Sequence, residues 1–371
     1  MKRPASPVFD HDSKAPRAII SSEPFTGTVI RFHNEVVATL KEIVYRQYAL
    51  IGRGACAFRG EVNGHSDLSG KDLMVKISWP SQWRTTEVKF LEAARSYALS
   101  QNDEHILGHI PQVFLHQDFY STVDGPRGNC AFVNDDHQVL RVIVMDSYFP
   151  MTQLHTAPDF SQVIIDVVKR HRGLHDGAKI LHRDISMNNI MFRRGENNRV
   201  IGVLIDFDLA VFVKADPDHV TVTLHLDRRF RTGTAPFMAI DLLEENDKIH
   251  WVRHDLESVL WVIIWYTARY HEGIETTMAF QIWRKSDMAR IAVQKARLFT
   301  KARMYEPTEH FLPLAVWVRP LLRMFAEGQQ VRDEISYKAK YGGGQTSETG
   351  DLETLGGHIT YQTFLHILGE A

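Results

Sequence analysis

The stretch Leu181–Asn189, Leu-His-Arg-Asp-Ile-Ser-Met-Asn-Asn, places a carboxylate, Asp184, five residues before a side-chain amide, Asn189. A second carboxylate, Asp206, follows Asn189 by 17 residues and comes directly after Val203–Ile205, an apolar run that predicts a strand. Phosphoryl transfer needs this set of groups, because one Asp meets the incoming hydroxyl while an Asn and a second Asp hold Mg²⁺ ions at the phosphates. Each residue alone is also typical of a turn or a helix cap. Their joint order and spacing predict a phosphotransferase site.

Two glycines upstream predict the phosphate-binding part of such a site. Gly52 and Gly54 follow Tyr45–Ile51, a predicted strand, and glycine lets backbone amides approach phosphate oxygens. About twenty residues later, Lys76 interrupts the apolar run Leu73–Ile77. We interpret Lys76 as the group that holds the α- and β-phosphates. A Gly-x-Gly pair also forms ordinary turns, and an edge-strand lysine also points to solvent.

A lysine in this role needs a carboxylate partner on a following helix. The pattern of Thr86–Arg95 predicts that helix. Glu87 precedes the apolar pair Phe90–Leu91 by one helical turn, so it shares the inward face. We therefore choose Glu87 over its rival Glu92, although either could be an exposed helix glutamate.

The segment His254–Tyr266 begins with acidic residues and continues with eight consecutive apolar residues, Val259–Tyr266. Eight residues are far too few to span a bilayer. An element that is apolar all round is typical of a helix buried on every side.

The chain resembles the eukaryotic protein-kinase superfamily over about Tyr45 to Phe325, and within it the fungal-type protein kinase family. The resemblance implies an α+β, bilobal protein-kinase-like fold, with a small β-rich N-lobe and a larger, mainly helical C-lobe. The motifs that carry it are Val75–Trp79, His182–Ser186, Asp206–Asp208, and Arg231–Thr234 with Phe237–Ala239 and His254–Ser258.

What the resemblance implies can be carried over residue by residue. Asp184 would be the catalytic base, Lys76 and Glu87 an ion pair, and Asn189 and Asp206 the metal ligands. Gly52 and Gly54 would form the phosphate loop. Met145 would be the gatekeeper of the hinge, where Asp146 and Tyr148 would face adenine. Asp241 would be the acid that closes the activation segment, and Asp255 the acidic residue of the buried helix that binds the catalytic loop.

Arg183 hints at control through the activation segment, because an arginine beside the catalytic Asp can pair with a phosphate and order that loop. The neighbouring basic residues are Arg228, Arg229 and Arg231. The candidate phosphate acceptors are Thr221, Thr223 and Thr232. The alternative is that these three are plain loop threonines.

Three positions depart from the family pattern. Asp208 stands where glycine is usual and loses easy access to positive φ. It also adds a carboxylate two residues from Asp206, either as an auxiliary Mg²⁺ ligand or as a surface aspartate that caps the next turn. Met74 replaces a small residue at adenine, and Ser186 replaces the lysine that steadies the γ-phosphate in serine/threonine kinases. None is an obligatory ligand, so rate and specificity are affected more than activity.

Composition limits the class of protein. The chain has 371 residues and is 44% hydrophobic, so it can bury a large core. Its formal net charge is −2, so it lacks the excess of positive charge that is typical of proteins that bind nucleic acid. Its two cysteines, Cys56 and Cys130, cannot build a disulfide framework, which favours an intracellular location, cytoplasmic or nuclear. We expect a protein substrate, no nucleic-acid partner and no membrane association.

The expected organisation is a disordered tail over 1–24, an N-lobe with an N-terminal extension over 25–147, a C-lobe over 148–330 and a polar C-terminal tail over 331–371. Within these we expect a helix over Val36–Val44, a hairpin insertion over Asp118–His137, a strand over Val139–Met145, a helix over Ser161–Gly177, a flexible stretch over Ala326–Thr354 and a short terminal helix over Thr360–Leu368.

The leading hypothesis is therefore an ATP- and Mg²⁺-dependent protein kinase that phosphorylates serine or threonine. A first alternative is a small-molecule phosphotransferase of the aminoglycoside or choline-kinase type, which also lacks lysine in its catalytic loop. Against it, Arg231–Asp241 resembles a peptide-positioning segment that such enzymes lack. A second alternative is a pseudokinase scaffold, although Lys76, Asp184 and Asp206 are all present.

Overall fold

The computed structural model describes residues 25–33, 35–46, 54–120, 138–215, 221–223, 233–244, 249–341 and 350–370. Several predicted features lie wholly or mainly outside these ranges: the N-terminal tail, Gly52, most of the insertion over 118–137, Thr232 and the three arginines Arg228, Arg229 and Arg231. Internal contacts divide the chain into two units, Met1–Pro80 with Gln117–Val144, and Ser81–His116 with Met145–Ala371.

The first unit contains a six-stranded sheet with the order β1-β2-β3-β4-β6-β5. Its strands are β1 (Val29–Arg31), β2 (Val37–Arg46), β3 (Cys56–Asn63), β4 (Leu73–Ser78), β5 (Val113–Phe119) and β6 (Leu140–Asp146). The neighbours from β1 to β4 pair antiparallel. The first residues of β5 and the last residues of β6 belong to the second unit.

The prediction of a helix over Val36–Val44 was wrong, because this stretch forms β2. Val36, Ala38 and Leu40 are buried while the residues between them are less so. Burial at every second residue is the period of a strand, and β-branched side chains favour it. The sequence had suggested a helix because a run of apolar residues this short fits the helical period as well as the strand period.

The second unit is mainly helical. Its helices are α1 (Glu87–Ser100), α2 (Glu104–Leu107), α3 (Ala157–Arg172), α4 (Ile240–Glu244), α5 (Val252–Arg269), α6 (Ile282–Lys285), α7 (Met288–Thr300), α8 (Ala315–Tyr341) and α9 (Tyr361–Ile367). Its short strands are β7 (Phe149–Pro150), β8 (Ile180–Leu181), β9 (Ile190–Arg194), β10 (Val200–Leu204), β11 (Val211–Ala215), β12 (Thr221–Thr223), β13 (Tyr270–His271) and β14 (Ile274–Glu275). They form the groups β10-β9-β7, β12-β11-β8 and β13-β14.

Helix α1 belongs to this second unit, whereas the sequence analysis assigned it to the small lobe. The reason is its apolar face, since Phe90, Leu91, Ala94 and Ala98 are all buried in the second unit's core. Thr86 starts the helix by accepting a hydrogen bond from the Lys89 amide at 3.2 Å.

Helix α3 supports the strand that leads to Asp206. It begins at Ala157, slightly earlier than predicted, and a wider helical turn, Gly173–Gly177, follows it. Gly202 of β10 packs so closely on α3 that an added Cβ would lie 2.7 Å from the Val163 carbonyl oxygen. The Gly202 amide also donates to Asp166 Oδ2 at 2.9 Å. These contacts fix β10, and with it the position of the residues that follow.

Two predictions about helices in the second unit have clear outcomes. The buried helix is confirmed as α5, in which every residue is buried. The prediction of a flexible stretch over Ala326–Thr354 was wrong for the first part of that stretch, because α8 continues to Tyr341. In its later turns the side chain of Ile335 lies against Gly350 of the C-terminal segment, while the other residues from Asp333 to Tyr341 are exposed. Within the part of the chain described, no helix is both long and apolar enough to cross a membrane.

The first turn of α5 buries a histidine in an uncharged state. His254 Nδ1 accepts a hydrogen bond from the Trp251 amide at 3.0 Å, and Nε2 lies 3.4 Å from Asp241 Oδ2. Burial, reinforced by the charge of Arg253, lowers the pKa of His254 to about 3. The unfolded chain, with an ordinary histidine pKa of about 6.5, therefore takes up a proton before the folded protein does.

His254 should consequently destabilise the fold as the pH falls below about 6.5, at a cost of about 2 kcal/mol in the free energy of unfolding between pH 7 and 5. We expect His254→Asn, which keeps an acceptor for the Trp251 amide, to flatten that pH dependence in urea denaturation. The exposed His116 provides the control, since His116→Asn should leave the slope as in wild type. Equal slopes in all three proteins would contradict the prediction.

Candidate active site

Asp184 lies in the loop between β8 and β9, and hydrogen bonds hold both of its carboxylate oxygens. Oδ1 accepts a hydrogen bond from Thr234 Oγ1 at 2.9 Å, and Oδ2 accepts one from Asn189 Nδ2 at 3.2 Å. Asn189 Nδ2 also donates to the Asp184 carbonyl oxygen at 2.8 Å. These two hydrogen bonds fix the orientation of the Asp184 carboxylate.

The hairpin of β9 and β10 explains the 17-residue spacing between Asn189 and Asp206. Ile190 pairs with Leu204 at its open end, and the Ile205 amide donates to the Asn189 carbonyl oxygen at 2.9 Å. The residues before β9 and after β10 are thereby brought side by side. Because Asn189 Nδ2 is turned toward Asp184, its Oδ1 is the atom suited to a hard cation.

Arg183 has a left-handed backbone, with φ of +70°, which is rare for a residue other than glycine. Its amide donates to Asp255 Oδ2 at 3.0 Å, as the resemblance implied. Asp255 also accepts hydrogen bonds of 2.8 Å from His171 Nε2 and His250 Nε2. Burial alone would raise the pKa of Asp255, but the interactions with His250 and His171 outweigh it and hold the pKa well below its usual range. A buried, charged carboxylate thus fixes the strained residue next to Asp184.

Glu87 lies at the start of α1 and is 1% exposed, whereas the rival Glu92 is exposed. Its Oε1 accepts a hydrogen bond from the Phe207 amide at 3.0 Å. The residue chosen from the sequence therefore contacts the loop that follows Asp206. Sequence reasoning missed this contact, because it joins residues 120 positions apart.

Carboxylate oxygens of Glu87, Asp206 and Asp208 lie within 4.8 Å of one another. A set of oxygen ligands with this charge fits Mg²⁺, which prefers carboxylates and water. Asp206 has φ of +63°, while Asp208 lies in the helical turn Phe207–Leu209 without positive φ. Replacing the usual glycine at 208 therefore brings no backbone strain in this conformation. Asp208 is buried, which rules out the surface-cap interpretation.

The predicted nucleotide residues of the first unit lie on or near β3 and β4. Lys76 is half-buried on β4, opposite Ala57 of β3. Gly54 has φ of +56°, and an added Cβ would meet the Trp79 ring at 3.4 Å. The glycine is thus required by its backbone and covered by the tryptophan that follows the lysine motif. The Lys76–Glu87 ion pair would join residues of different units and stays a prediction.

The predicted adenine-facing residues come at the end of β6. Met145 is buried, while Asp146 and Tyr148 are partly buried. The Asp146 amide donates to the Gln112 carbonyl oxygen at 3.2 Å, and the Gln112 amide donates to the Tyr148 hydroxyl at 3.3 Å. Burial, together with the charge of Asp146, raises the pKa of Tyr148 to about 12. Their role toward adenine stays a prediction.

The end of the activation segment is anchored by buried charge. Asp241 is fully buried and binds Arg253 Nη2 at 2.7 Å and Arg332 of α8. Lys295 of α7, also fully buried, donates to the Met238 carbonyl oxygen at 2.6 Å. The sequence indicated Asp241, but not its partners, because they lie on helices far along the chain. For Thr221 and Thr223 the structure describes only the backbone, as β12.

Sequence reasoning missed two contacts of the site, that of Thr234 with Asp184 and that of His171 with Asp255. Thr234 belongs to a recognised motif, so that signal was present, but nothing in the spacing pairs it with a residue 50 positions away. For His171 the sequence offers no signal, since its partner Asp255 is 84 positions away.

Comparison with known proteins bears on this fold. The model of the family described as fungal protein kinase matches residues 17–109 and 116–267. A solved structure of vaccinia related kinase 3 has a TM-score of 0.51 and 14% sequence identity, covering 93% of this chain and 92% of that one. The structural likeness supports the predicted α+β, protein-kinase-like fold. No curated protein matches the sequence significantly. On the extent of the family match, the chain belongs to the fungal protein kinase family.

Proposed function

We propose that this chain is an ATP- and Mg²⁺-dependent protein kinase that transfers the γ-phosphate to a serine or threonine hydroxyl of a protein. The observation that carries the proposal is the Asp184 carboxylate, held between Asn189 and Thr234. Asn189 is itself a proposed metal ligand, and Thr234 belongs to Arg231–Asp241, the segment that resembles a peptide-positioning element. The base therefore lies between the two sides that phosphoryl transfer must bring together.

In this proposal Asp184 orients the acceptor hydroxyl and takes its proton. The hydroxyl oxygen forms a bond to the γ-phosphorus, the bond from that phosphorus to the β,γ-bridging oxygen breaks, and ADP leaves. The hydrogen bonds from Asn189 and Thr234 favour this role because a general base must be held within reach of the proton that it takes. Fixed position matters as much as basicity, because most of the rate in such transfers comes from alignment.

The residues after β10 and before β9 would hold the metal. Asn189 and Asp206 are the proposed ligands, with Glu87 and Asp208 close enough to orient or supplement Asp206. Bound Mg²⁺ would neutralise charge on the phosphates. Asp208 thus places a third carboxylate where glycine is usual, which favours a site of higher affinity for a cation than two carboxylates alone would give.

The remaining nucleotide contacts follow the family pattern. We assign Lys76, paired with Glu87, to the α- and β-phosphates, and Gly52 with Gly54 to the phosphate loop. Met145, Asp146 and Tyr148 would line the adenine site, and Arg183 would pair with a phosphate on the activation segment.

A protein acceptor is favoured over a small molecule by the anchoring of residues 234–241. Thr234 binds the base, Lys295 binds the Met238 carbonyl oxygen, and Asp241 binds Arg253 and Arg332. Such fixation is what a surface that positions an extended peptide requires. Radiolabel transfer from ATP to protein, peptide, aminoglycoside and choline acceptors tests this choice, and labelling of the small molecules alone would favour the alternative enzyme.

We expect Asp184→Asn to lower kcat by about 100-fold or more, as loss of a general base typically does, while leaving ATP affinity nearly intact. Phosphate transfer under saturating ATP measures the first quantity, and the melting shift with Mg·ATP reports the second. The exposed Asp67 supplies the control, since Asp67→Asn should keep wild-type turnover. Wild-type turnover in Asp184→Asn would remove Asp184 from the mechanism. If the wild-type protein itself transfers no phosphate, the result would favour the alternative of a pseudokinase scaffold.

Asp206→Ala should abolish the Mg²⁺-dependent part of the stabilisation that ATP gives against heat, because the cluster would lose its central carboxylate. The measurement is the melting temperature with ATP plus MgCl₂, compared with ATP plus EDTA. Asp67→Ala should show the wild-type difference between the two conditions. An unchanged difference in Asp206→Ala would mean that another group holds the ion.

A further inference from the structure

The C-terminal segment Gly350–Glu370 packs against the core of the second unit. Its apolar side chains on and before α9 are buried in that core; they are Leu355, Ile359, Phe364, Leu365 and Leu368. Two polar contacts fix its ends, because Arg253 Nε donates to the Leu352 carbonyl oxygen at 2.8 Å and Lys169 Nζ binds Glu370 Oε2 at 2.6 Å. The segment is thus an integral part of the unit that contains Asp184.

Within this segment, the hydroxyl of Tyr361 contacts a histidine that the active site already uses. Tyr361 is 7% exposed, and its hydroxyl lies 2.6 Å from His171 Nδ1 and 3.2 Å from the His171 carbonyl oxygen. His171 Nε2 in turn donates to Asp255 Oδ2 at 2.8 Å. The Arg183 amide donates to that same oxygen at 3.0 Å.

The hydrogen-bonding capacity of these groups determines which of them donates and which accepts in the series from Tyr361 through His171 to Asp255. Asp255 is charged and can only accept, so His171 must donate from Nε2. In the neutral ring Nδ1 is then the acceptor, and the Tyr361 hydroxyl donates to it. Tyr361 therefore stabilises the one tautomer and ring orientation of His171 that satisfies Asp255 Oδ2.

We propose that Tyr361 is a positioning residue, which acts through His171 and Asp255 to hold Arg183 and the adjacent Asp184 in the geometry for phosphoryl transfer. The inference rests on the proposed function. Arg183 needs such support because a left-handed backbone at a residue other than glycine persists only where its surroundings fix it. Tyr361 lies 177 positions beyond Asp184 and outside the motifs that carry the family resemblance.

Tyr361→Phe removes the hydroxyl and keeps the ring in its apolar site. Tyr305 is a matched control, because it is also 7% exposed and its hydroxyl also meets a buried polar group. That group is Thr267 Oγ1 of α5, at 2.9 Å. Both variants should melt at similarly lowered temperatures. We expect Tyr361→Phe alone to reduce kcat, by about tenfold for one lost buried hydrogen bond, with the KM for ATP unchanged.

His171→Asn tests whether the effect passes through the histidine. The double variant His171→Asn with Tyr361→Phe should have no lower kcat than His171→Asn alone, because the relay is already broken. Two independent losses that multiply would overturn the proposed route, as would a kcat in Tyr361→Phe equal to that of Tyr305→Phe.

Amide hydrogen exchange separates a failure of this inference from a failure of the proposed function. In the full-length protein without nucleotide, the Arg183 amide should exchange faster in Tyr361→Phe than in Tyr305→Phe, whether or not the chain transfers phosphate. Equal exchange in the two variants would overturn the positioning role. Faster exchange in a protein without phosphotransferase activity would retain it and reject the kinase proposal.

Discussion

The buried carboxylate of Asp255 is the group on which the geometry of the active site depends. It lies on a helix with no exposed face and accepts hydrogen bonds from His171, His250 and the Arg183 amide. A buried charge is tolerated only where its hydrogen-bonding capacity is filled, so these donors and the carboxylate fix one another. The backbone of the catalytic loop is therefore tied to a helix that is buried on every side.

From this anchor the site is assembled by short-range geometry. The hairpin of β9 and β10 brings Asn189 beside the residues that precede Asp206, and α3 packs on Gly202 to hold that hairpin. Helix α1 then presents Glu87 to the Phe207 amide. Packing thus places carboxylate oxygens of Glu87, Asp206 and Asp208 within 4.8 Å of one another without strain at Asp208. Two of the residues that have a left-handed backbone, Arg183 and Asp206, lie beside the groups proposed for the chemistry.

The sequence predicted those parts of the site whose spacing is local. Asp184, Asn189 and Asp206 lie in one loop and one hairpin, and Val259–Tyr266 is apolar enough to require burial in α5. Thr234, His171 and Tyr361 could not be found in this way, because each meets its partner across 50 or more positions. The strand β2 was mistaken for a helix, since a short apolar run fits either period. The last turns of α8 were mistaken for a flexible stretch, because their residues are mostly polar and exposed and show no apolar stripe that would indicate a helix.

The most direct test of this account is the rate of phosphate transfer by Asp255→Asn, compared with Asp118→Asn, a partly buried aspartate of β5 that accepts two hydrogen bonds of 2.8 Å from Arg141 in the first unit. An asparagine at 255 would turn its NH₂ group toward one of three donors and release the loop. We predict that Asp255→Asn loses kcat by about tenfold or more beyond the Asp118→Asn control, while both still show the melting shift with Mg·ATP. Equal turnover in the two folded variants would contradict the claim that Asp255 holds the catalytic loop.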